Sequence, residues 1–582
     1  MARSLGGPRP TRKLNPFLCR SVHIAAPSSR AGSRQAMVTL LDDVAMHAPG
    51  CQCHGCGASS LTGMSLGSQR GWHRVPAKAG ARRQFGAAAA PTTDYAFEMA
   101  ASSIRYGRGV TAEVRTRRNG FLRLPLPAGV TGLSEPRHAR APQVGMDMEN
   151  LGCDNVMVLT DKNLAELPVV SNVLESLERA GRKVGLFDRV EVEPTNKSFQ
   201  DAIDYAKAQV SAPRPLPPPG AWCSHPTPCR VMQNFDGFIS VGGGSVMDTA
   251  KAASLYSTFP DAVLLDFVNA PVGKGLPVPG QLRPHIAIPT TAGTGSETTG
   301  QAIFDHEPLS AKTGIGNRAL KPTLGIIDPA NMETMPQQVA IASGFDVLCH
   351  ALESYTAVPY QQRSPRPLNP NLRPAYQGSN PISDVWCVQA LKMLAESFTA
   401  SVLDRDNTQA KEQMCLAATY AGVGFGNAGV HLCHGMSYPI SGLNKKFEHV
   451  QWQHPEYTSD PTPTGLIVPH GISVVLSAPA VFEFTAAVDP ERHLLCAELL
   501  GAVPNPTTAV TPEYAGGLLK EQILKLMDAT GVPMGISKLG FTHGDIDALV
   551  AGTLPQERVT KLSPNPVGGE ELAHIFEAAM EY

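Results

Sequence analysis

From about residue 94 to about residue 330, short apolar and β-branched runs alternate with longer stretches in which apolar residues return every three or four positions. The runs "NVMVLT" (155–160), "KVGLFD" (183–188), "GFISV", "PHIAIPTT" and "PTLGIIDP" predict buried strands, and "PVVSNVLESLERAG" and "SFQDAIDYAKAQV" predict helices. Strand and helix alternating at these lengths predict a parallel sheet covered by helices. After "DPANMETMP" the pattern turns to long helical segments with few strands, from about residue 337 to the C-terminus. The expected architecture is an α/β domain over 93–330 and an all-α domain over 331–582, divided near Asp328.

At 242–251, "GGGSVMDTAK" sets three glycines between a strand and a helix. A helix N-terminus presents unpaired N–H groups and a positive dipole end, and glycine lets a phosphate reach the main chain. Gly243, Gly244, Ser245 and Asp248 are the candidates there. "PTTAGTGSETT" (289–299) follows the strand "HIAI" and gathers the hydroxyls of Thr290, Thr291 and Thr294 with glycine N–H groups in one loop. Ligands of open α/β sheets bind beyond the C-terminal ends of strands, so two such loops suit one diphosphate and together suggest a dinucleotide. Asp161, just after another strand, suits a ribose hydroxyl and repels a 2′-phosphate, which favours NAD over NADP; it also suits a turn or cap.

The helical half carries a different chemistry. In "GFDVLCHALESYTA" (344–357), Asp346 and His350 stand four apart, which in a helix puts both side chains on one face. "HLCHGMSYP" adds His431 and His434, and "VPHG" adds His470. A carboxylate with several imidazoles suits a borderline divalent ion: iron(II), zinc or manganese.

In this order, "GGGSVMDTAK", "PTTAGTGSETT", "GFDVLCHALESY", "HGMSYP" and "PHG" resemble the iron-containing (group III) alcohol dehydrogenase family over roughly residues 93–582, apart from two insertions. The resemblance implies a dehydroquinate-synthase-like fold: a nucleotide-binding α/β domain, a helical domain, and the active site in the cleft between them. It carries the metal ligands onto Asp346, His350, His434 and His470, leaving His431 as a core or supporting histidine, and it adds Lys312 to the cofactor-binding set. The implied cofactors are NAD and Fe2+, with Zn2+ as the alternative ion. The implied activity is hydride transfer from a hydroxy acid, 4-hydroxybutyrate, through bound NAD to an oxo acid, 2-oxoglutarate; assembly as a homo-oligomer is compatible with it. Alternatives are an alcohol dehydrogenase that releases NADH at each turnover, and a lyase acting on a phosphorylated sugar acid, which would need a basic cluster that the sequence does not display. One position departs from the pattern: many of the family's alcohol dehydrogenases read "HGMAHP", with a histidine four after the ligand, where this chain has Tyr438. Tyrosine, with an unperturbed pKa of about 10, is a poor base at neutral pH, so Tyr438 is a catalytic candidate of altered chemistry.

Composition alters this picture mainly at the N-terminus. Residues 1–41 hold Arg3, Arg9, Arg12, Lys13, Arg20, Arg30 and Arg34 and no acid before Asp42, which predicts a mitochondrial transit peptide within a disordered leader, 1–92. "CQCHGC" in that leader (Cys51, Cys53, His54, Cys56) fits no standard zinc spacing, and the twelve cysteines read as reduced thiols. A net charge of -2 argues against nucleic acid as a partner, and no apolar run reaches the roughly 18 residues of a membrane helix. Two segments break the α/β alternation: 115–143, with six arginines and one acid, and 211–234, with seven prolines. Both are expected to be solvated excursions that supply no ligand.

Overall fold

The computed structural model describes residues 93–112, 143–208, 235–443 and 468–582, apart from Ser310, Leu368, Pro370 and Asn371. The leader, its "CQCHGC", the basic segment up to Pro142, the proline-rich 211–234 and, within the long stretch between His434 and His470, "NKKFEHVQWQHPEY" (444–457) lie outside the described residues.

Six parallel strands form one sheet in the order β1-β8-β5-β4-β2-β3. These are β1 (Ser103–Tyr106), β2 (Asn155–Leu159), β3 (Lys183–Phe187), β4 (Gly237–Gly242), β5 (His285–Pro289) and β8 (Leu324–Ile327). Every residue of β4 and β5 is buried, which is why both read as unbroken apolar runs rather than alternating ones. The two-residue period of a strand sorts their neighbour's side chains between two cores. Val156 and Val158 of β2 join Ile239, Val241, Ile286 and Ile288 against α1 (Gln143–Asn150) and α2 (Pro168–Arg179). Met157 and Leu159 join Phe238 on the other face, against α3 (Asn196–Ala208) and α4 (Gly244–Thr258).

Two features go beyond the sequence expectation. The four-residue β1, largely exposed, pairs with β8 from more than two hundred residues further on, as in Ser103 against Leu324. Beside the expected parallel sheet, β6 (Gln301–His306) and β7 (Ala311–Gly316) form a separate antiparallel ribbon.

After β8 the described elements are helical. Five of them build the site: α5 (Gln337–Thr356), α6 (Pro381–Leu403), α7 (Thr408–Ala428), α8 (Leu432–Leu443) and α9 (His470–Val475). Helix α5 is buried almost all round from Ile341 to Thr356, as a central helix must be, so its sequence lacks a polar face. Helix α9 starts directly against it, since a Cβ placed on Gly471 would stand 1.8 Å from the Ala342 carbonyl oxygen. None of the described helices is long and apolar enough to cross a membrane. The described residues all fall within one compact unit.

Candidate active site

Register places the two small-residue loops side by side. Gly242, the last residue of β4, pairs with Pro289, the last of β5, so the glycine turn and the threonine loop leave the sheet together. They touch: a Cβ on Gly244 would meet Thr294 Cγ2 at 2.6 Å. Gly243 caps α4 with no side chain on the helix's first N–H groups, which keeps that terminus open to an anion. The loops line one end of a cleft of about 820 Å³, with Asp161, Gly243, Gly244, Ser245, Thr290, Thr291 and Thr294 in its wall. Asp161 also behaves as a cap, its Oδ1 accepting from the N–H groups of Asn163 (2.9 Å) and Leu164 (3.0 Å), and burial raises its pKa.

Asp346 and His470 line the same cleft. Asp346 Oδ1 is the focus of three imidazoles, with Nε2 of His350 and of His434 each at 3.5 Å and Nε2 of His470 at 3.8 Å. Ligand atoms of Asp346, His350 and His434 lie within 4.8 Å of one another, and His470 stands at the rim, more exposed than the others. Asp346 Oδ1 and His434 Nε2 are buried with no hydrogen-bond partner. Two such atoms facing one point, one anionic and one imidazole, fit a divalent ion. Burial works against the charge on Asp346, but His350 and His470 hold its pKa well below the ordinary carboxylate range. Burial pushes His350 down to about 3, which leaves the ring neutral and able to ligate. That ring lies flat on Phe425, centroids 3.8 Å apart.

Glu353 was missed in the sequence, although it belongs to the face of α5 that carries Asp346 and His350, seven and three residues on. Its Oε2 takes the Nδ1–H of His434, and its Oε1 accepts the backbone N–H groups of His431 (2.9 Å) and His434 (3.3 Å). A carboxylate on Nδ1 fixes the tautomer that turns Nε2 toward the ion. His431 is fully buried, its Nε2 3.0 Å from Thr356 Oγ1, in a supporting position behind the ligands.

Adjoining the cleft, with Gly244, Ser245, Thr294, Asp346 and His470 in both walls, is an inner chamber of about 130 Å³ that is also lined by Asp248, Lys312, His350, His434 and Tyr438. Asp248, expected to touch the cofactor, has both oxygens engaged within the protein: Oδ1 by Ser296 (2.6 Å) and Lys251 (3.1 Å), Oδ2 by the Ile303 N–H (2.9 Å). It thereby fastens α4 to the threonine loop and to β6. Lys312, also expected at the cofactor, projects from β7 and forms an ion pair with Glu193. Glu193 has a left-handed backbone (φ 53°), rare for a residue with a side chain and frequent at functional sites. Burial opposes its charge and Lys312 outweighs burial, so its pKa is lowered. Tyr438 accepts a hydrogen bond from Arg558 Nη2 at 2.8 Å. Glu193 and Arg558 had no local signal in the sequence, because each reaches the chamber from a segment without a motif.

A glycine-capped parallel sheet facing a carboxylate–imidazole cluster across one cleft defines a metal-dependent dinucleotide oxidoreductase. The chain belongs to the iron-containing alcohol dehydrogenase family. The model "Iron-containing alcohol dehydrogenase" matches residues 137–212 and 229–329, and "Fe-containing alcohol dehydrogenase family, C-terminal" matches 375–447. The break in the first match falls inside the proline-rich 211–234. The chain is 50% identical over 492 residues to "Hydroxyacid-oxoacid transhydrogenase, mitochondrial" of Bos taurus, covering 84% of this chain and 91% of that protein. It is 51% identical over 496 residues to the protein of the same name from Xenopus laevis, covering 85% and 92%. Among solved structures, 1,3-propanediol oxidoreductase superposes with a TM-score of 0.62 at 22% identity, covering 83% of this chain and all of that one, so the two share the fold of an α/β sheet domain followed by a helical region.

Proposed function

We propose that this chain is a mitochondrial hydroxyacid-oxoacid transhydrogenase that uses retained NAD and an iron(II) ion. It would oxidise 4-hydroxybutyrate to succinate semialdehyde and reduce 2-oxoglutarate to 2-hydroxyglutarate. The observation that carries this reading is a cleft lined by the glycine and threonine loops together with Asp346, adjoined by a chamber lined by His434, in which Asp346 Oδ1 and His434 Nε2 are both unpartnered. The names of the half-identical relatives support it, and so does the acid-free basic N-terminus.

With both groups in place, the ion held by Asp346, His350, His434 and His470 would supply a Lewis acid for the substrate oxygen, and NAD a two-electron acceptor and donor. The chain's own work is orientation and exclusion of water. The open N-terminus of α4 and the threonine hydroxyls would bind the pyrophosphate, and Asp161 a ribose hydroxyl. Glu353 holds His434 in the ligating tautomer. Phe425 and Tyr376, both buried, wall the chamber against solvent. Tyr438 accepts a hydrogen bond from Arg558 rather than donating one to it, so its own O–H stays free for a substrate oxygen.

The test is isotopic. Protein carrying its own nucleotide is given 4-hydroxybutyrate deuterated at the carbinol carbon, plus 2-oxoglutarate, with no NAD added. Deuterium at C2 of 2-hydroxyglutarate is expected; NADH released into solution in place of labelled product would make the chain an ordinary dehydrogenase.

A further inference from the structure

Among the described residues, one cation in the inner chamber has no counter-charge. Lys251 pairs with Asp248 and Lys312 with Glu193, and the ligating histidines face Asp346 and Glu353. Arg558 instead donates from Nη2 to Tyr438 Oη (2.8 Å) and from Nη1 to Gln301 Oε1 (3.4 Å), with its guanidinium 5.5 Å from the centre of the Tyr376 ring. All three partners are uncharged. Among the described residues no carboxylate meets Arg558, although it is only partly exposed and cannot shed its proton. A guanidinium withdrawn from water without a counter-ion is costly and draws an anion to it, and its planar fork matches a carboxylate.

The chamber supplies the second half of the argument. The same space of about 130 Å³ is lined by the ligand cluster and by Arg558, so a small molecule whose oxygen reaches the cluster has its far end near the guanidinium. We infer that Arg558 seats the substrate carboxylate, first that of the hydroxy acid and then that of the oxo acid. This rests on the transhydrogenase reading and names the group that selects acids over plain alcohols. It also accounts for Tyr438: a protonated histidine there would repel Arg558, whereas a neutral phenol accepts its N–H and holds the fork in place. Tyr438 is then a positioning residue for Arg558.

The test uses metal- and NAD-loaded protein and two dead-end ligands of one shape, butyrate and butyramide, with affinities taken from calorimetry. Wild type is expected to prefer butyrate by about 10- to 100-fold, the worth of a charge-assisted hydrogen bond. Arg558→Gln should remove most of that preference and raise KM for 4-hydroxybutyrate at least about tenfold, with a smaller change in kcat. An equal affinity of wild type for the two ligands overturns the inference without any variant. So does an undiminished preference in an Arg558→Gln protein that keeps its metal and nucleotide. If wild type prefers butyrate yet moves no label from 4-hydroxybutyrate, the carboxylate seat stands and the transhydrogenase reading falls.

Discussion

Glu353 stands outside the Asp346–His350–His434 cluster, yet the orientation of the His434 ring depends on it. Its two oxygens bind the Nδ1–H of His434 and two backbone N–H groups at the start of α8, so one carboxylate sets both the tautomer of the ring and the place of the helix that carries it. Burial works against the charge on Glu353, but the neighbouring His434 outweighs it, so the pKa is lowered. Glu353→Gln keeps the shape and removes the charge. It should weaken metal binding by about 10- to 100-fold, as loss of a supporting carboxylate generally does, measured by competition with a chelator. Unchanged metal affinity would leave Glu353 a purely structural residue.

Between elements, close approach and buried charge set the geometry. Helix α9 delivers His470 because Gly471 allows its backbone to lie against Ala342 of α5, four residues before Asp346. Gly471→Ala has no room, so α9 must move away. A cost of about 1–3 kcal/mol in stability is expected, with loss of bound metal beyond what that cost explains. A variant with full metal content and an unaltered denaturation midpoint would show that α9 has slack. A second junction lies where the segment before β1, the approach to β8 and the end of α7 meet. There Lys321 bonds the Ala100 carbonyl and Asn427 Oδ1 (3.3 Å). Burial, with Lys251 and Arg318 nearby, lowers its pKa to about 7. Its unfolded value is about 10.4, so between the two the unfolded chain holds a proton that the folded chain lacks, and stability rises with pH by at most about 1.4 kcal/mol per unit. Below the folded value the full cost of the buried charge is present. Lys321→Met should flatten this rise, read from denaturant midpoints at about pH 7 and about pH 9; equal slopes in the two proteins would exclude Lys321 as the cause.

For the molecule as a whole, the proline-rich 211–234 falls between the end of α3 at Ala208 and the start of β4 at Gly237, directly ahead of the glycine turn. The break in the family match at 213–228 lies within it. Closing a longer loop costs only about 0.6 kcal/mol per doubling of its length, so the sheet tolerates such a segment if its ends still meet. Joining Val210 to Phe235 by a short linker should preserve nucleotide binding and leave the melting temperature unchanged or higher. A folded deletion protein that no longer binds NAD would make the segment part of the site.

The sequence by itself determined most of the main elements and the residue types gathered at the candidate site. Continuous apolar runs marked the buried strands, because parallel strands covered on both faces need no polar side. The four-residue spacing of Asp346 and His350 fixed their common face, because helix geometry is local, and the same logic extended three residues further would have found Glu353. Only the tertiary structure decided which distant segments share a chamber. Glu193, Lys312 and Arg558 come from a loop after β3, an antiparallel ribbon and a single helical turn near the C-terminus, and no pattern within any of these segments points to the others. Asp248 and Lys312 show the same limit: both lie in the chamber wall as expected, but their charges are taken up by Lys251 and Glu193. Which cation is left without a partner depends on every charge the fold brings near, a sum over contacts that local sequence does not contain.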